Sequence, residues 1–144
     1  MKPESMADVI IDTSAWIRFF RYGSDEVSQF VAELVRKDQA VMTGVVLTEL
    51  LQGIKTDKER QHLSALFSSL PFIETVREDW QSAGEDLQAL RRRGITVPVT
   101  DAIIATVAHR RGLSVLTTDP HFKSFKVNRV GPEIPEGSSS ATDR

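Results

Sequence analysis

The stretch IIDTSAWIRFF (residues 10–20) sets a single carboxylate, Asp12, at the end of a β-branched run. The run DVIID (residues 8–12) reads as a strand. Beyond it Trp16, Phe19 and Phe20 recur at helical spacing, a pattern whose first explanation is core packing and whose second is contact with a partner. Strands are depleted in Asp, and an isolated ionised carboxylate among apolar side chains is costly. Asp12 must therefore be paired, hydrogen-bonded, protonated or bound to a metal.

Outward from this stretch, helical and extended segments alternate. Val27, Phe30, Val31, Leu34 and Val35 predict a helix over residues 24–37 with Ser24 as its N-cap. AVMTG reads as a second strand and VVLTELLQGI as a short helix. Thr56 and Glu59 form a capping-box pattern that opens a helix through HLSALFSSL, ended by Pro71. Thr75 and Glu78 repeat the pattern before WQSAGEDLQALRRR, which stops at Gly94. Pro98 and Thr100 then introduce VTDAIIATVAHRRG, with Gly112 at its carboxyl end. SVLTTD is a third strand and KVNRV a fourth. Strands separated by helices pair in parallel, which predicts a three-layer α/β/α sandwich with a mainly parallel central sheet. One domain is expected over residues 1–131, followed by a flexible tail at 132–144, PEIPEGSSSATDR, rich in Pro, Ser and Gly. The amphipathic segments 27–35 and 63–70 fit either the core or a groove for a partner helix.

Composition narrows the chemistry. With 144 residues, 40% hydrophobic and 26% charged, the chain matches an ordinary soluble domain. It has no cysteine, which excludes disulfides, thiolate chemistry and cysteine-ligated metals. His62, His109 and His121 lie far apart without ligand spacing. A metal site is therefore expected to use oxygen ligands, which favours magnesium, manganese or calcium. The start, MKPESMADVI, does not resemble a signal peptide, and no segment approaches the roughly 20 apolar residues of a membrane span. A cytoplasmic protein is expected. A formal charge of −2 argues against a general nucleic-acid coat protein but leaves room for a local basic patch.

In open α/β sheets the ligand site lies outside the carboxyl ends of the strands. Asp12 and Asp119 both end strands and should reach that rim. Glu49 sits in the apolar VVLTELLQGI, and Asp101 in the first turn of a helix followed by AIIATVA. Each has an ordinary explanation: Asp101 complements a helix dipole, Asp119 forms a turn before proline, Glu49 faces solvent. Together they are harder to dismiss, because clustered like charges raise one another's pKa unless a cation joins them. No lysine or arginine neighbours any of them in sequence, so a divalent ion is the natural counter-charge.

At these residues the sequence resembles the PIN-domain ribonucleases of the VapC toxin type. The likeness runs through IIDTSAWI, VVLTELLQG, RRRGITVPVTDAIIATVAHRRG and SVLTTDPHF, in that order, from DVIIDTSAWI to about Val130. The resemblance implies a PIN-like fold and an acidic quartet at Asp12, Glu49, Asp101 and Asp119. It further implies that a hydroxyl after the first acid, Thr13 or Ser14, orders the site. The alanine in DTSAWI and the histidine in TTDPHF look like ordinary variants. A protein antitoxin and a homodimer are expected from the family alone.

The implied reaction is hydrolysis of RNA phosphodiester bonds with Mg2+, or Mn2+ in its place. Such hydrolysis needs a nucleophile at neutral pH and a positive centre facing the developing charge, and a divalent ion supplies both. Asp12 and Asp119 are expected as the more direct ligands. Glu49 and Asp101 would act through waters or position the nucleophile. Arg18, Arg21 and the run Arg91, Arg92, Arg93, with Arg110 and Arg111, offer either solvated helix ends or a rim for RNA phosphates. Two rivals fit less well. A receiver domain wants an acidic pair after the first strand and a late lysine, and a haloacid-dehalogenase-type phosphatase wants a second aspartate where Ser14 stands. The remaining alternative is a catalytically silent PIN-like protein-interaction module.

Overall fold

In the computed structural model, which describes residues 8–132, β1 (Val9–Ile11) is buried along its whole length. It is flanked on both sides by parallel partners: Val9 pairs with Ala40 of β2 (Ala40–Thr43) and with Ser114 of β4 (Ser114–Leu116). A strand covered on both faces and both edges reads as an unbroken apolar run. β3 (Phe72–Ile73) and β5 (Asn128–Arg129) complete an all-parallel sheet of order β3-β2-β1-β4-β5. The expected flexible tail, 132–144, lies outside the described residues except for Pro132.

Between the strands run α1 (Thr13–Arg21), α2 (Glu26–Arg36), α3 (Gly44–Gln52), α4 (Asp57–Ser68), α5 (Arg77–Arg92) and α6 (Val99–Arg110). The strand order steps outward from β1 to β3 and then returns to β4 on the other side of β1. Right-handed crossovers therefore send α1 and α2 to one face and α5 and α6 to the other. Trp16 of α1 is fully buried, and its ring meets Phe19, Phe20 and Phe67 at centroid distances of 5.9, 5.7 and 5.5 Å. Val27, Val31, Leu34, Leu63 and Phe67 all belong to the core, so the amphipathic faces of α2 and α4 serve packing. Residues 102–108 of α6 are buried throughout, which is why that helix shows no polar face in the sequence.

The helix ends refine the expectations. α5 and α6 stop at Gly94 and Gly112, whose φ values of +79° and +67° are left-handed, as expected for glycine at these ends. α2, however, is capped by Asp25 and not Ser24: Asp25 Oδ1 accepts the Ser28 N–H at 2.8 Å while Oδ2 takes the Arg18 Nε–H at 2.9 Å. Only a carboxylate can cap the helix and pair with the arginine together. α5 likewise begins after Val76 and not at the Thr75–Glu78 pattern, with Asp79 Oδ2 accepting the Val76 N–H at 2.8 Å. Strand β3, two residues directly after Pro71, is not among the expected strands, whereas the expected KVNRV strand forms over Asn128–Arg129. Among the described residues, no helix is long and apolar enough to cross a membrane.

Candidate metal centre

The strand order reverses direction between β1 and β4, and loops leaving such neighbours open the crevice in which α/β proteins bind ligands. Asp12 follows β1 directly as the N-cap of α1 and is only 3% exposed. Its Oδ2 accepts hydrogen bonds from the Ser14 N–H at 3.4 Å, the Ser14 hydroxyl at 2.7 Å and the Thr117 hydroxyl at 2.8 Å. Burial pushes the Asp12 carboxyl above its ordinary value, and these hydroxyls oppose the shift. The sequence question raised by Asp12 thus has a physical answer: it is hydrogen-bonded from two strands' ends at once.

Both hydroxyls expected to order the site are engaged. Thr13 donates to Glu49 Oε1 at 2.6 Å and so ties α3 to the start of α1. The Ser14 hydroxyl also accepts the Thr118 N–H at 3.0 Å, linking the two loops. Thr117, which sequence reading passes over, bonds Asp12 and accepts the Asp119 N–H at 2.9 Å through the same hydroxyl oxygen. The signal for Thr117 is its place two residues before an acid, the mirror of Ser14 two residues after one.

Asp101 lies in the first turn of α6 and is 7% exposed; its Oδ2 is buried without a hydrogen bond. Burial raises its pKa first, then a hydrogen bond with Asp119 and the negative charges of Asp119, Asp12 and Glu49, to about 8. The charges of Asp119, Asp12 and Glu49 thus all bear on Asp101. The structure adds His121, whose Nδ1 stands 2.8 Å from Asp119 Oδ1 and 3.3 Å from Asp101 Oδ2. Spacing in the sequence hides this histidine, because its partner Asp101 comes from another element.

This donor set fits a divalent cation. Buried carboxylates, one with an unsatisfied oxygen, are unfavourable alone and favourable around positive charge. Without an ion, the folded chain holds a proton on Asp101 between the ordinary value of 3.8 and about 8, where the unfolded chain releases it. Stability in chelator is thus expected to fall as pH rises through that window. Added Mg2+ or Mn2+ should raise the melting temperature most at about pH 8. Melting curves at both ends of the window, with chelator and with ion, check this; a pH-independent, ion-insensitive melting temperature would contradict it.

The arginines divide. Arg18, expected to meet RNA phosphates, pairs with Asp25 (Nη2 to Oδ2, 2.8 Å) and lies over the Tyr22 ring. Arg110 and Arg111 hold Asp79, which is fully buried, at 2.6 and 2.8 Å. Arg21, at the end of α1, and Arg91, Arg92 and Arg93, at the carboxyl end of α5, are exposed. The short connection over residues 94–98 leads from the α5 arginines to the Asp101 helix.

Comparison with known proteins agrees with this architecture. The PIN domain family model matches residues 9–128. Ribonuclease VapC11 of Mycobacterium tuberculosis is 30% identical over 118 residues, covering 79% of this chain and 88% of that protein. VapC ribonuclease Mb1587 of Mycobacterium bovis matches to the same extent. Among solved structures, VapBC2 of Rickettsia felis bound to a promoter DNA fragment superposes with a TM-score of 0.73 at 19% identity, over 87% of this chain and 98% of that one. DNA-bound VapBC of Salmonella typhimurium gives 0.72 at 22% identity, over 86% and 96%. The matched span runs from β1 to β5, includes all four acids and agrees with the resemblance carried by the sequence blocks, so the chain belongs to the PIN-domain family, among the VapC ribonucleases.

Proposed function

We propose that this protein is a divalent-metal-dependent endoribonuclease acting as the toxin of a toxin–antitoxin pair. The observation that carries the reading is the buried Asp101 carboxyl oxygen left without a hydrogen bond at the switch point of the sheet, with the charges of Asp119, Asp12 and Glu49 bearing on that residue. That its relatives are named ribonucleases supports RNA as the substrate.

Asp12, Asp101 and Asp119 would hold Mg2+ or Mn2+. When bound, the ion supplies positive charge opposite the scissile phosphate and makes water a competent nucleophile near neutral pH. Ser14 and Thr117 hold Asp12 in one orientation, so its free rotation is not spent when substrate arrives. Glu49, oriented by Thr13, positions the attacking water and receives its proton. Arg91, Arg92 and Arg93 offset the repulsion between an acidic site and RNA by meeting phosphates, a contact that weakens with salt. The family relation supports a cognate antitoxin and a homodimer. The exposed apolar residues Ile17, Phe20 and Leu51, on the neighbouring helices α1 and α3, offer the antitoxin a surface.

The test is incubation of the purified, antitoxin-free chain with total cellular RNA in Mg2+, in Mn2+ and in chelator, beside Asp12→Asn. Discrete metal-dependent fragments absent with the variant support the reading, and their ends name the substrate. A folded, ion-binding chain that cuts no RNA would instead be the silent interaction module.

A further inference from the structure

His121 stands among the acids at distances characteristic of ligands. Its Nδ1 lies 2.8 Å from Asp119 Oδ1 and 3.3 Å from Asp101 Oδ2, and one ligand atom from each residue falls within 4.8 Å of the others. Neighbouring ligands at right angles on an ion with bonds of about 2.1 Å are about 3 Å apart. The two short separations therefore match edges of one coordination shell.

A plain hydrogen bond from the imidazole to Asp119 accounts for only one of them. It leaves Asp101 Oδ2, on a side chain only 10% exposed, without a hydrogen bond. A cation among the three atoms satisfies all of them. The backbone also fixes where the imidazole starts: the His121 N–H is held by Asp119 Oδ1 at 2.9 Å, Pro120 precedes it, and the next residue, Phe122, is fully buried. With its proton on Nε2, the ring presents a lone pair at Nδ1.

We propose that His121 is a nitrogen ligand of the divalent cation, joining Asp101 and Asp119. Mg2+ strongly prefers oxygen, whereas transition ions accept imidazole readily. The site accordingly favours Mn2+, Co2+ or Zn2+ over Mg2+ more than an all-carboxylate site does. The inference rests on the metal-holding part of the proposed function and is independent of RNA cleavage.

Pulsed electron paramagnetic resonance of the Mn2+-loaded, full-length protein tests it directly. The expected spectrum carries a nitrogen coupling that changes on 15N-histidine labelling and disappears in His121→Ala, while His62 and His109 remain as internal controls. In parallel, competition binding should show the Mn2+-over-Mg2+ preference falling about tenfold in His121→Ala, with an unchanged circular dichroism spectrum. Mn2+ bound without nitrogen coupling, or a coupling that survives in His121→Ala, overturns the proposal and leaves the nuclease reading standing. No Mn2+ binding at all defeats both.

Discussion

Asp101→Asn is expected to make the metal-free protein more stable at about pH 8 while lowering RNA hydrolysis by on the order of a hundredfold or more. The two effects share one cause. Burial and the charges of Asp119, Asp12 and Glu49 disfavour the ionised form of Asp101, which a cation would offset. The neutral amide removes that repulsion and keeps the shape, so melting in chelator should rise at high pH and change little near pH 4. The same change removes the carboxylate that would hold the ion, so the rise in melting temperature on adding Mn2+ should shrink together with cleavage. Melting and turnover measured on one preparation separate the outcomes. A variant that loses activity and stability alike would place Asp101 in the fold rather than in a strained ion site.

The largest loss of stability is expected away from the site, in Asp79→Ala. Asp79 is fully buried and accepts hydrogen bonds from Arg110 Nη1 at 2.6 Å, Arg111 Nη2 at 2.8 Å, Arg111 Nη1 at 3.0 Å and the Val76 N–H at 2.8 Å. The hydrogen bonds and charges of these arginines hold its carboxyl well below the ordinary range despite burial. Removing Asp79 leaves the Val76 N–H and two partly exposed arginines without their acceptor, at about 1 to 3 kcal/mol. Urea unfolding at neutral pH measures it, with Asp86→Ala, an exposed acid of the same helix, expected within about 0.5 kcal/mol of the parent. Because the folded pKa is depressed, this contribution is complete above the ordinary carboxyl value of 3.8 and is lost as pH falls below it. An Asp79→Ala midpoint equal to that of Asp86→Ala would show the ion group to be energetically neutral.

The sheet was legible because its central strands are buried on both faces. Such strands must be runs of β-branched and aliphatic residues, and VII, AVMT and SVL stand out in any reading. The edge strand β3 was not legible, since Phe72 is 45% exposed and its pairing is set by β2 rather than by its own sequence. Helix beginnings were misread where a cap has a second duty. Asp25 and Asp79 each close a helix end and bind arginine, so tertiary partners chose the register over the nearer Ser24 and Thr75.

The site divides in the same way. An α/β fold, a crevice at the strand ends and four acids as candidates to reach it are read from the chain alone, because burial patterns and the cost of an unpaired carboxylate are local properties of a chain. The partner of each polar group depends on the folded arrangement. The fold brings Thr117 to Asp12 and His121 to Asp101, pairs Arg18, Arg110 and Arg111 with buried or half-buried acids, and leaves one oxygen of Asp101 without a hydrogen bond. Those partnerships join residues far apart in the chain, and hydrogen bonds and charges act over a few ångströms of space, a distance that sequence separation does not encode.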